Sequence, residues 1–166
     1  MEWVAYVRKR ASKLNPLATL EEIWEIEENL GLSLPESLRH VYLEIGNGAL
    51  FEHFGLMGLK EVAKTYSSFR STFVTYTGHE WPQHLIPFCS GGCDLLCVIE
   101  RSSNRIGFIQ YEVIGPSDSE SVEDIVEWQS SSLSDWFTAG MSDRNPMTYS
   151  ETFWDSTIEK ILLRNS

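Results

Sequence analysis

Between Leu20 and Phe51 the chain reads LEEIWEIEENLGLSLPESLRHVYLEIGNGALF, a run whose caps and turns dictate where each helix starts and stops. Thr19 stands three residues before Glu22, so its hydroxyl can accept from the Glu22 amide while the Glu22 carboxylate reaches back to the amide of Thr19. From that start Leu20, Ile23, Trp24, Ile26 and Leu30 make an apolar face, and Glu21, Glu22, Glu25 and Glu28 stay wet. Gly31 can take the left-handed cap that ends the helix. The next helix opens at Pro35, whose missing amide proton costs nothing in a first turn, and carries Leu38, Val41, Tyr42 and Ile45 inward. Gly46-Asn47-Gly48 then supplies positive φ angles for a sharp reversal.

The rest of the chain alternates helical and strand patterns. A helix from Glu2 to Leu14, presenting Trp3, Tyr6 and Val7, is expected to end at Asn15-Pro16, because proline disfavours helical geometry in the residue before it. Ala49 to Leu59 reads as a strand, interrupted by Gly55 and Gly58, and Lys60 to Phe69 as a helix with Val62, Ala63, Tyr66 and Phe69 on one side. Ser71 to His84 reads as a loop with a short strand. LIPFC, DLLCVIE and RIGFIQYEVI are three apolar, β-rich runs separated by Ser90-Gly91-Gly92 and Ser102-Ser103-Asn104, which predicts an antiparallel meander. Ser132 and Asp135 can cap a short helix, LSDWFTAG, and Thr148 with Glu151 a last one, residues 150–164, burying Phe153, Ile158, Ile161 and Leu162. The expected fold is α+β: a single domain over 1–166 with a central antiparallel sheet flanked by helices, its core at about 20–140 and the terminal helices as additions.

Composition fits that reading and narrows the function classes. A chain of 166 residues with 42% hydrophobic and 22% charged residues is globular. One domain of this size buries roughly 70% of the surface its unfolded chain exposes. The N-terminus lacks the pattern of a signal peptide and no apolar run is long enough for a membrane span, so the expected location is cytoplasmic. Net charge is −11, and Glu112 to Asp143 holds eight acidic residues without a Lys or Arg, whereas Arg8, Lys9, Arg10 and Lys13 crowd the start. Such a surface repels nucleic acid and anionic membranes and steers basic partners toward itself; otherwise it serves only solubility.

Catalytic and metal signatures are missing from the sequence. His40, His53, His79 and His84 show no H-E-x-x-H spacing, and there is neither a G-x-S-x-G elbow nor a G-x-x-x-x-G-K-S/T loop. Cys89, Cys93 and Cys97 lack a zinc pattern and read as buried reduced thiols, with a redox-sensitive pair as the alternative. Cys89 or Cys93 with His84 would be the one nucleophile and base combination to consider. No enzyme, cofactor or metal is expected.

The order of parts is more telling than any one of them. A helix, Gly31, Leu34-Pro35, a second helix, Asn47-Gly48, a turn with Gly92 and Asp94 between strands, and a late S-L-x-x-W helix bearing Trp136 resemble the SUKH superfamily over Leu20 to Gly140. Cys93, between Gly92 and Asp94, departs from that superfamily's GGD-like turn. The resemblance implies a binding role: bacterial members are immunity proteins that hold a cognate polymorphic toxin domain, often a nuclease, inactive in the producing cell, and eukaryotic relatives include a yeast cell-wall synthesis regulator. Pro35, Gly48 and Gly92 would shape turns and Leu34 and Trp136 would pack, while Asp94 would either accept backbone amides or face a partner.

Together the resemblance and the charge lead to an immunity protein that occludes a basic toxin domain through an acidic surface, the alternative being a regulatory scaffold with a non-toxin partner. The residues expected to carry binding are Asp94, Glu112, Asp118, Glu120, Glu123, Asp124, Glu127 and Asp135, with Trp128 and Tyr111 as aromatic anchors. Read as a strand, VEDIVEW puts Val122, Asp124, Val126 and Trp128 on one face, and Glu112 to Asp143 is expected to form one exposed acidic surface.

Overall fold

The three apolar runs form the centre of the molecule as strands β4 (Leu85–Ser90), β5 (Leu95–Glu100) and β6 (Ile106–Gln110), each antiparallel to the next. Nearly every residue in them is buried, so both faces of the sheet are covered and alternation gives way to continuous hydrophobicity. The structure is a computed structural model that describes residues 2–52, 54–91, 95–110 and 121–140. Among these, four short strands complete a seven-stranded sheet in simple sequence order: β1 (Lys13–Leu14), β2 (Ala49–Leu50), β3 (Gly55–Leu56) before the central three and β7 (Glu127–Ser130) after them. Among the described residues five α-helices pack around it: α1 (Glu2–Arg10), α2 (Leu20–Leu30), α3 (Glu36–Glu44), α4 (Leu59–Thr77) and α5 (Leu133–Gly140). Helix α4 lies on β4 and carries α2, while α5 joins β7 to α1. This is the expected α+β domain. No described helix is long and apolar enough to cross a membrane; the last helix expected from sequence, 150–164, lies outside the described residues.

Local rules account for the helix ends. Both arms of the Thr19 capping box form, with Glu22 N–H donating to Oγ1 at 3.1 Å and Thr19 N–H donating to the Glu22 carboxylate at 2.8 Å. Gly31 ends α2 at φ 65°. Of Gly46-Asn47-Gly48, however, Gly48 alone has a positive φ, 102°, and Asn47 acts through hydrogen bonds. Its Oδ1 accepts from Leu59 N–H at 2.7 Å, capping α4 from a distance, while its own N–H donates to Pro16 O at 2.8 Å and its carbonyl accepts from Asn15 Nδ2 at 3.0 Å. A Cβ on Gly48 would sit 2.8 Å from that Asn15 amide nitrogen, so the pair Asn47-Gly48 is a junction for three segments.

Four expectations need correction. Helix α1 stops at Arg10, not Leu14, because Ser12 N–H donates to Leu50 O at 2.8 Å and Lys13 and Leu14 pair with Leu50 and Ala49 at the sheet edge. Ala49 to Leu59 is not one strand: Phe51 N–H donates to Phe54 O at 2.9 Å, and the fold-back lets both phenyl rings stack at 4.6 Å in the core. Helix α4 runs past Phe69 to Thr77 and absorbs much of the stretch expected to be a loop. Its apolar register, Leu59, Val62, Tyr66, Phe69 and Phe73, continues unbroken, and Ser71 and Thr72 hydroxyls donate back to Ser68 O at 3.0 and 2.7 Å instead of breaking the helix. Finally, Leu20 and Trp24 do not join the buried face of α2, which consists of Ile23 and Ile26 with Leu30 at its border; Leu20 is 48% and Trp24 57% exposed.

VEDIVEW also divides. Val122–Ile125 is a 3-10 turn and β7 begins at Glu127, so Val122 and Val126 are buried while Asp124 is exposed on another side. Where β7 meets β6 the register shifts, and Gly107 stands opposite Trp128. A Cβ there would come within 2.5 Å of Val126 Cγ1 and 2.8 Å of Glu127 O, so glycine permits the close approach that places β7.

Candidate partner-binding surface

The acid-bearing stretch that follows the meander is built from self-capping turns. Ser121 donates from N and Oγ to Asp124 Oδ2 at 3.0 and 2.9 Å, and these bonds hold the exposed Asp124 carboxyl below its ordinary range. Asp135 sits in the first turn of α5, its N–H donating to Ser132 Oγ at 3.1 Å and its carboxylate accepting from that hydroxyl at 2.7 Å. Its side chain remains exposed, while the next residue, Trp136, is buried against Phe54, Phe88 and Phe137. Glu123 Oε1 lies 3.6 Å from His84 Nε2, and Glu127 is half-buried in β7. The same capping preference that makes Ser and Asp frequent here therefore turns two carboxylates outward while fixing their geometry.

Trp128, expected as an anchor, is half-buried, with the Arg105 guanidinium 4.0 Å above its ring. Arg105 is itself held by Glu100, through Nε to Oε2 at 3.0 Å and Nη2 to Oε1 at 3.1 Å, and this fork depresses the Glu100 carboxyl. The sequence interval 112–143 has no basic residue, yet the meander register carries Arg105 and His84 into its neighbourhood. Sequence reasoning missed both, and the signal was the expected pairing of a strand after β6. Glu112, Asp118, Glu120, Asp94 and Tyr111 lie outside the described residues.

The motif residues that carry the resemblance are structural where they are described. Leu34 and Pro35 are buried, and the Leu34 N–H donates to Glu27 Oε1 at 2.6 Å; the same oxygen accepts from Arg39 Nε at 2.7 Å. Glu27, absent from the sequence-based reading, thereby pins the turn between α2 and α3. Cys89 and Cys97 face each other across β4 and β5, free and fully buried, and burial pushes the Cys89 thiol well up, keeping it protonated and unsuited to nucleophilic attack. Cys93 and Gly92 lie outside the described residues, and among those described no group of three or more His, Cys, Asp or Glu could hold a metal.

A comparison with curated proteins finds no match. The family model described as SMI1 / KNR4 family (SUKH-1) matches residues 17–139, a span that includes both arms of the capping box, the Leu34-Pro35 turn, the Asn47-Gly48 junction, the meander and the Trp136 helix. The chain therefore belongs to the SMI1/KNR4 family, SUKH-1.

Proposed function

We propose that this chain is an immunity protein that binds a basic toxin domain in the cytoplasm of the producing cell and blocks it by occlusion. The observation that carries the reading is family membership across most of the chain, joined to a net charge of −11. Glu123, Asp124, Glu127 and Asp135 would steer a cationic partner, and Asp124 suits that task because its serine bonds keep it ionised into mildly acidic solution. Arg105 does not cancel the field, since Glu100 already neutralises it. Trp128 would supply apolar area beside these carboxylates. Glu112, Asp118, Glu120 and Asp94 belong to the same proposal through their place in the sequence.

Coexpression with the toxin encoded beside this chain tests the proposal. Growth should be restored, and the two proteins should copurify as a complex that weakens as salt rises. Failure of rescue, with no salt-sensitive complex, would show that the partner is not that toxin and leave a regulatory scaffold as the better account.

A further inference from the structure

The outward face of α2 combines features that a purely structural helix has no use for. Trp24 is 57% exposed and Leu20, one turn earlier on the same side, 48%, with Leu17 just upstream at 46%. Large apolar groups grouped on a surface mark interaction sites. Alongside run Glu21, Glu25 and Glu28, exposed, their carboxylates without a hydrogen bond or ion pair among the described residues. Glu28 lies in the last turn, where the macrodipole disfavours acid, and no basic residue in that turn offsets it. Glu21 and Glu25 also repel each other at the i, i+4 spacing. Glu28 at the C-terminal turn and the Glu21–Glu25 pair thus cost the helix stability, and a cationic occupant relieves both costs.

We propose that this face is a docking surface for a basic segment of a partner protein, with Trp24 as its anchor. Arginine or lysine stacks on the Trp24 indole and pairs with the flanking carboxylates, and an aliphatic residue of the partner covers Leu20. The surface shares no residue with Glu123 to Asp135, and it rests on the proposed function only in requiring a cationic protein partner, toxin or not.

The test is a titration of the 15N-labelled chain with a short amphipathic Arg/Leu peptide, read at the indole N–H signals of its six tryptophans. The Trp24 signal, assigned from Trp24→Phe, should move most, and Glu21→Gln/Glu25→Gln/Glu28→Gln should weaken binding at least about tenfold and flatten its salt dependence. A Glu/Leu peptide should leave the signal in place. Movement at Trp128 instead would overturn the assignment of the surface and keep the basic partner; an unmoved spectrum would overturn both. An equal response to the Glu/Leu peptide would contradict the charge complementarity and with it the proposal.

Discussion

Two described stretches are dense in acid, α2 and the segment from Ser121 to Asp135, and they use their carboxylates differently. In the later segment Asp124 bonds to Ser121, Asp135 to Ser132, Glu123 faces His84, and Glu127 is engaged as well. On α2 only Glu22 and Glu27 are committed, one to the capping box and one to the Leu34 turn, leaving three outward carboxylates beside an exposed tryptophan. Acid density along a sequence is therefore a poor guide to which carboxylates are free to reorient toward a partner. Side chains that cap turns build the scaffold first, and what they offer a partner is secondary.

The largest expected contrast is between the two tryptophans. Trp136→Ala removes a fully buried ring from the aromatic cluster and should cost about 3–5 kcal/mol, whereas the exposed Trp24 should change stability by no more than about 0.5 kcal/mol on replacement by alanine. Urea unfolding of both variants measures this; a costly Trp24→Ala would mean that α2 has no free face. Next in size, Ser132→Ala loses the α5 cap and should cost about 1 kcal/mol. Glu28→Gln, at the unfavourable end of α2, should be neutral or stabilising by a few tenths, ~0.3 kcal/mol.

The smallest effect concerns pH. Hydrogen bonds from Ser121 lower the Asp124 carboxyl below its unfolded value, so this contribution is complete above about pH 4 and is lost as pH falls through the lowered folded value. Glu100, held mainly by Arg105, acts in the same direction. Asp124→Asn should flatten the acid limb of a stability curve; an unchanged limb would mean that the Ser121 bonds do not distinguish the folded state.

What could be read from the sequence was set by short-range physics. The Thr19 box, the Gly31 cap and the β4 to β6 meander follow from residues a few positions apart, and all three form. The misreadings arose where a distant partner decided. Leu50 draws Lys13 into a strand, Trp81 packs on Phe69 and Phe73 and favours continuation of α4, and the position of α4 selects Ile23 and Ile26 over Trp24 for burial. The same limit applied to the surface. Arg105 reaches Trp128 only because β6 and β7 pair, and the exposure of Trp24 depends on which side of α2 meets α4.

The central claim is that this chain works by holding a basic protein on acid-bearing, aromatic faces. Its most direct test is the dissociation constant of a complex with the proposed toxin partner, measured at low and high salt for the native chain, Trp24→Ala and Trp128→Ala. The account predicts affinity that falls with salt and drops at least about tenfold in Trp24→Ala. Affinity indifferent to salt and unchanged in both variants would contradict it.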